Sequence, residues 1–195
     1  MSGPSVVVGA SAIGRGVFAA QYFQPGQPIL KFGGPVLTAS EVLALGPDRA
    51  YALQVGPGEF LNLTPPGRYL NHSCDPSTGL LDDRVLIALR PIVPGEEIRF
   101  DYSTAMREDH WTMECRCGEY LCRRVVLDFH HLPPITQNRY LQLGIVQRFI
   151  VNEVRRRAPA PPRGRAAALP LSPGHCLKVS QASGRPPSKP RSNHS

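Results

Sequence analysis

Cys115-Arg116-Cys117-Gly118-Glu119-Tyr120-Leu121-Cys122 packs three cysteines into eight residues, and a fourth stands far upstream in Asn71-His72-Ser73-Cys74. A C-x-C-x4-C cluster is one ligand short of the tetrahedral set that a structural zinc site requires. Among the chain's five cysteines only Cys74 and Cys176 remain to supply it, and Cys176 lies in a stretch whose composition argues against folding. With Cys74 as the fourth thiolate, one metal ion would pin the segment around Asn71 to the segment around Cys115. Phe100-Asp101-Tyr102, which lies between them, would then sit beside the staple.

The length of 195 residues suits one domain with extensions, and 42% hydrophobic content supplies a core. No apolar run reaches the roughly 18 residues of a membrane span. The N-terminus shows no basic region leading into an apolar one, so no secretory signal is expected. Without secretion, and with an odd cysteine count, metal ligation reads better than a disulfide framework. The expected setting is intracellular, cytoplasmic or nuclear, with no membrane. The net charge of +7 is unevenly placed: from Arg155 onward lie nine of the 22 Lys and Arg and none of the 15 acids. The remainder holds thirteen basic against fifteen acidic residues, so the basic character belongs to the tail.

The first hundred residues read as short strands broken by Gly and Pro. Val6–Val8, Val17–Phe23, Ile29–Phe32, Tyr51–Val55, Phe60–Leu63, Val85–Leu89 and Ile98–Tyr102 are apolar or alternating runs of strand length. Turn signals such as Gln24-Pro25-Gly26, Gly56-Pro57-Gly58 and Val93-Pro94-Gly95 separate them. A short helix is expected over 40–45. The pattern predicts a mostly β domain of small sheets and argues against alternating β-α units. Beyond Pro134 the apolar spacing turns helical, with Thr136 as a cap and Gly144 as a dividing point. Past Arg157, eight prolines and few large apolar residues predict disorder.

Each motif also has a plain reading. Val6-Val7-Val8-Gly9 followed by Gly14-Arg15-Gly16 mimics a dinucleotide fingerprint, but that fold needs a full helix straight after the glycines, and Pro25-Gly26 comes too soon. A glycine pair joining two strands, open to a ligand, survives beside an ordinary tight turn. His72 and Asn71 can be structural hydrogen-bonding and turn residues. A Cys-His hydrolase would take Cys74 as nucleophile and so compete with metal ligation, leaving the three-cysteine cluster one donor short. Glu96 and Glu97 read as solvated strand-start charges, and Asp101 and Tyr102 as residues on opposite faces of one strand.

Taken in order, Gly14-Arg15-Gly16-Val17-Phe18-Ala19, Arg68-Tyr69-Leu70-Asn71-His72-Ser73-Cys74, Gly95 to Tyr102, and Cys115-x-Cys117-Gly118-x3-Cys122-Arg123 resemble the SET-domain family of protein-lysine N-methyltransferases with its post-SET zinc segment. The resemblance covers roughly residues 5 to 130. It implies a β-clip of small sheets with a knot-like threaded segment: a SET domain over 1–110, a zinc-binding segment over 111–132, a helical extension over 133–157 and a disordered basic tail over 158–195. It implies S-adenosyl-L-methionine as cofactor and a structural zinc on Cys74, Cys115, Cys117 and Cys122. Backbone at Gly14, Arg15 and Gly16 would approach the cofactor, Asn71 would meet its amino-acid end, and the His72 backbone would read the adenine. Val125 or Val126 would cover the adenine. Tyr102 would be the catalytic tyrosine. Phe100 resembles the position where Phe leaves room for higher methylation states. Asn62 stands where many members carry aspartate, and Ser77 where Asn is more usual.

The expected function is methyl transfer to a lysine ε-amine of a protein, a histone or another basic protein. The rival is a non-catalytic, zinc-stabilised interaction module, which would need neither Asn71 nor Tyr102. The tail would contact nucleic acid or an acidic protein weakly and without sequence preference, because no aromatics interleave its charges.

Overall fold

The computed structural model describes residues 3–109 and 111–157. The basic tail and Cys176 lie outside the described residues. Strands β1 (Val6–Ser11) and β2 (Gly14–Ala19) form an antiparallel hairpin with Ser11 opposite Gly14. Gly14 turns it with a φ of 115°, a backbone conformation that a side chain disfavours. The glycine-flanked stretch is thus a strand–turn–strand unit.

The remaining strands are β3 (Pro28–Lys31), β4 (Val36–Thr38), β5 (Ala52–Gly56), β6 (Glu59–Asn62), β7 (Asn71–His72), β8 (Thr78–Leu81), β9 (Val85–Ala88), β10 (Glu97–Phe100), β11 (Met113–Glu114) and β12 (Val125–Val126). The main sheet runs β1-β2-β10-β8-β9-β3, with β7 also paired to β10; β4-β6-β5 and β11-β12 form two smaller sheets. This is the mostly β architecture of small sheets that the sequence predicts. Ile98 and Phe100 of β10 point into the core while Glu97 and Arg99 face outward, the period-2 pattern of a half-buried strand. Val17, Leu61, Leu80, Leu86 and Ile92 pack with them in the principal core.

Strand β10 takes two short parallel partners: Arg99 and Phe100 lie opposite Asn71 and His72, and Phe100 also pairs Thr78. The Ser73 amide donates to the Phe100 carbonyl at 3.1 Å, and the Thr78 hydroxyl donates to the Arg99 carbonyl at 2.9 Å. Ser77, buried, bonds the Arg99 backbone amide at 3.3 Å. The Asn71–Cys74 segment is thereby fixed against the strand that leads to Tyr102.

Helix α1 (Ala39–Ala44) starts on Thr38-Ala39-Ser40-Glu41, a capping box in which the Thr38 amide donates to the Glu41 carboxylate at 2.7 Å. The C-terminal extension contains two helices, α2 (Pro134–Leu143) and α3 (Arg148–Arg157). Gly144 ends α2 at φ 67°, so it does divide the segment. The cap expected at Thr136 is instead Pro133, with Pro134 opening the helix, because proline's fixed φ suits the first turn. A second core of Phe129, Leu132, Tyr140, Ile145, Val146 and Ile150 seats the extension. Ile145 meets β8 where Gly79 has no side chain; a Cβ there would come within 2.5 Å of the isoleucine.

Candidate active site

Tyr102 leaves β10 in a 3-10 turn, Tyr102–Ala105, capped by the Asp101 carboxylate, which accepts from the Ser103 amide at 3.1 Å. Asp101 goes inward, and Tyr102 reaches a cavity of about 590 Å³. Its hydroxyl donates to the Leu70 carbonyl at 2.6 Å. Burial pushes the phenol's pKa well above its usual range, so it stays neutral. The rings of Phe100 and Tyr102 are 5.0 Å apart, with Phe32 5.8 Å behind Phe100, giving the cavity an aromatic wall.

Gly14, Arg15, Asn71, His72, Phe100 and Tyr102 line this cavity. The Asn71 amide nitrogen donates to the Arg15 carbonyl at 2.9 Å and to Glu97 Oε1 at 2.7 Å, clamping the β1–β2 hairpin to β7 and β10. Glu97, read from sequence as a solvated charge, is thus a partner of Asn71. Gly16 stands beside it rather than in the cavity lining: a Cβ there would collide with Glu97 Oε1. The Arg15 guanidinium stacks 3.9 Å from the Tyr69 ring centroid, which holds a cation at the cavity wall.

Beneath the site lies a buried polar network that the sequence did not disclose. Asp101 pairs with Arg123 at 2.8 Å and accepts from the Tyr140 hydroxyl at 2.9 Å. An arginine next to Cys122 and an α2 tyrosine therefore meet on the residue before Tyr102. His72 lies at 3.6 Å from the same carboxylate, and burial lowers its pKa to about 4, outweighing the opposing pull of Asp101, so its ring is neutral. Arg99 ties the strand to the cysteine loop by donating to the Cys117 carbonyl and the Glu119 carboxylate, each at 2.8 Å.

The cysteines converge. Two sulfurs each about 2.3 Å from one tetrahedral zinc stand ~3.8 Å apart; the sulfurs of Cys74 and Cys115 are 3.7 Å apart. The Cys122 thiol lies 3.8 Å from the Cys115 carbonyl. The Arg123 and Arg124 amides each reach a sulfur at 3.4 Å, Cys74 and Cys122 in turn, the donors that a thiolate wants. Burial raises the Cys74 thiol to about 11. It also opposes ionisation of Cys117, but amide donors from Cys74 and Glu119 win and bring that thiol down to about 7. The donor set fits a structural zinc. The groups whose ligand atoms all lie within 4.8 Å of one another are, however, His72, Cys74, Cys115 and Cys117, with Cys122 outside that set. Val126 is buried where β12 pairs β11, and Val125 faces outward.

The family model of the SET domain matches residues 14–103, the stretch from the β1–β2 turn to the residue after Tyr102. Residues 14–103 are a SET domain. Histone-lysine N-methyltransferase Su(var)3-9 of Drosophila melanogaster is 29% identical over 153 residues, covering 60% of this chain and 24% of its own length. Histone-lysine N-methyltransferase Set2 of the same fly is 31% identical over 127 residues, covering 56% of this chain and 5% of its own. The crystal structure of Arabidopsis thaliana SUVH6 in complex with SAM is similar to this chain with a TM-score of 0.53. At 22% identity, covering 63% of this chain and 32% of that one, this is a likeness of fold. The chain spans about a quarter or less of the length of these two curated relatives.

Proposed function

We propose that the protein is an S-adenosylmethionine-dependent protein-lysine N-methyltransferase whose catalytic residue is Tyr102. The observation that carries the reading is one cavity that holds the Tyr102 hydroxyl, the aromatic wall of Phe100 and the polar end at Arg15 and Asn71. The cavity's 590 Å³ is in the range of small-molecule sites. Gly14, Arg15, Asn71 and the His72 backbone would hold the cofactor, with the Arg15 cation facing its carboxylate. When bound, the cofactor supplies a sulfonium methyl that a neutral amine takes by in-line displacement, releasing a thioether. A lysine amine has an ordinary pKa of about 10.4, and the apolar lining of Leu53, Leu63 and Phe100 disfavours its charged form. The Tyr102 hydroxyl, its proton engaged by Leu70, keeps oxygen lone pairs free to accept an amine N–H and aim the nitrogen. By the same resemblance, Phe rather than Tyr at position 100 would leave room for more than one methyl.

Cys74, Cys115, Cys117 and Cys122 would hold a structural zinc, since four thiolates leave no open coordination position. The supporting layout is a core to residue 110, a zinc segment over 111–132 and a helical extension over 133–157. Substrates are protein lysines, with histones the class that the relatives' names carry, in a nuclear or cytoplasmic setting. Among the described residues no helix is long and apolar enough to cross a membrane. Calorimetric titration with S-adenosylmethionine, paired with turnover of Tyr102→Phe, tests the reading. Cofactor binding should persist in the variant while kcat falls by at least about 100-fold. Failure of the zinc-loaded wild type to bind the cofactor would instead favour an interaction module.

A further inference from the structure

The His72 ring belongs to the cysteine cluster by distance, yet its hydrogen bonds assign it a different role. Nδ1 accepts the backbone N–H of Tyr102 at 3.2 Å, and a backbone amide has only a proton to offer. Nδ1 therefore presents its lone pair, and a neutral ring carries its proton on Nε2. Nε2 lies 3.2 Å from Cys74 Sγ, so that bond runs from N–H to sulfur. A protonated nitrogen has no lone pair for a metal, which excludes His72 as a ligand in this arrangement. The nearby Asp101 carboxylate, 3.6 Å from Nδ1, is engaged by Arg123, the Ser103 amide and Tyr140 instead.

We propose that His72 is a positioning residue: its Nε2–H donates to the metal-bound thiolate of Cys74 while its Nδ1 holds the backbone of Tyr102. One imidazole then joins the metal site to the phenol at the reacting end of the cavity. The donor relieves negative charge on one of four thiolates, beside the Arg123 amide that serves the same sulfur. Because His72 is only 3% exposed, water cannot readily take over either bond. The inference rests on the zinc reading above.

The full chain is tested in two forms. Metal content is first counted on purified protein. The chain is then loaded with ¹¹³Cd, labelled with ¹⁵N-histidine, and its ring signals are recorded by NMR. The expected result is an Nε2–H tautomer, a weak coupling from that proton through sulfur to cadmium, and a cadmium resonance of a four-sulfur site. A direct Nε2–cadmium coupling, or an Nδ1–H tautomer, overturns the proposal. In chelator competition, His72→Ala should bind zinc 10–100-fold more weakly, at about the outer-shell cost, while still taking up one ion. Unchanged affinity in that variant also overturns it. A wild-type chain that takes up no metal removes the zinc reading and this one together, whereas one bound metal without the Nε2–H tautomer removes this one alone.

Discussion

At the scale of single residues, the chemistry turns on groups held neutral or paired by burial. With the Tyr102 phenol pushed up by burial, its ionisation should leave no falling limb in the pH–rate profile. The rate should rise between about pH 7 and pH 9.5 as the substrate amine loses its proton. A fall centred below about pH 9, with the fold intact by circular dichroism, would contradict this assignment. Asp101 is fully buried and relies on Arg123, so Arg123→Met should leave an uncompensated charge and destabilise the protein by about 3–5 kcal/mol in urea unfolding. Arg116→Met, which breaks an exposed pair with Glu114, should cost less than about 1 kcal/mol. Tyr102 was legible from sequence only through its neighbours in a motif. Asp101's role was not, because its partners lie 22 and 39 residues away and no local pattern links them. Glu97 was misread for the same reason: a glutamate after a turn looks solvated until the fold brings Asn71 to it.

At the scale of elements, the strands that alternate or run apolar were legible: β2, β3, β5, β6, β9 and β10 fall within a few residues of their expected places. The strands β7, β11 and β12 were not, since two residues carry no period and pair only because other segments position them. The extension's helices were visible in their spacing, yet Ile145 at the break between them shows what the spacing hid. It fills the hollow over Gly79 of β8. Gly79→Ala should therefore overpack this contact and cost about 1–3 kcal/mol. The same change in an Ile145→Ala background should cost much less, a non-additivity that denaturant melts of the four proteins would read directly. Equal costs in both backgrounds would mean that the extension does not rest on β8 in this way.

At the scale of the whole molecule, three distant parts meet around one strand end: the Asn71–Cys74 segment, the cysteine loop and α2 all touch residues 99–102. The five-cysteine arithmetic made the convergence of Cys74 on Cys115 legible, since metal ligation demands a fourth donor whatever the intervening fold. It could not reveal that Arg99, Arg123 and Tyr140 would reinforce the same junction. Chelation should consequently loosen both ends: stripping zinc should lower the thermal midpoint and abolish cofactor binding together, with both restored by one equivalent of zinc. Retention of full cofactor affinity by the metal-free chain would separate the two sites. The most direct test of the central claim is transfer of a labelled methyl group from S-adenosylmethionine to proteins of a nuclear extract, followed by mass spectrometry of the digested products. The account predicts label on lysine ε-nitrogens with the wild type and its loss with Tyr102→Phe, which still binds the cofactor. Label of equal intensity from the Tyr102→Phe variant, or label confined to atoms other than lysine nitrogen, would contradict it.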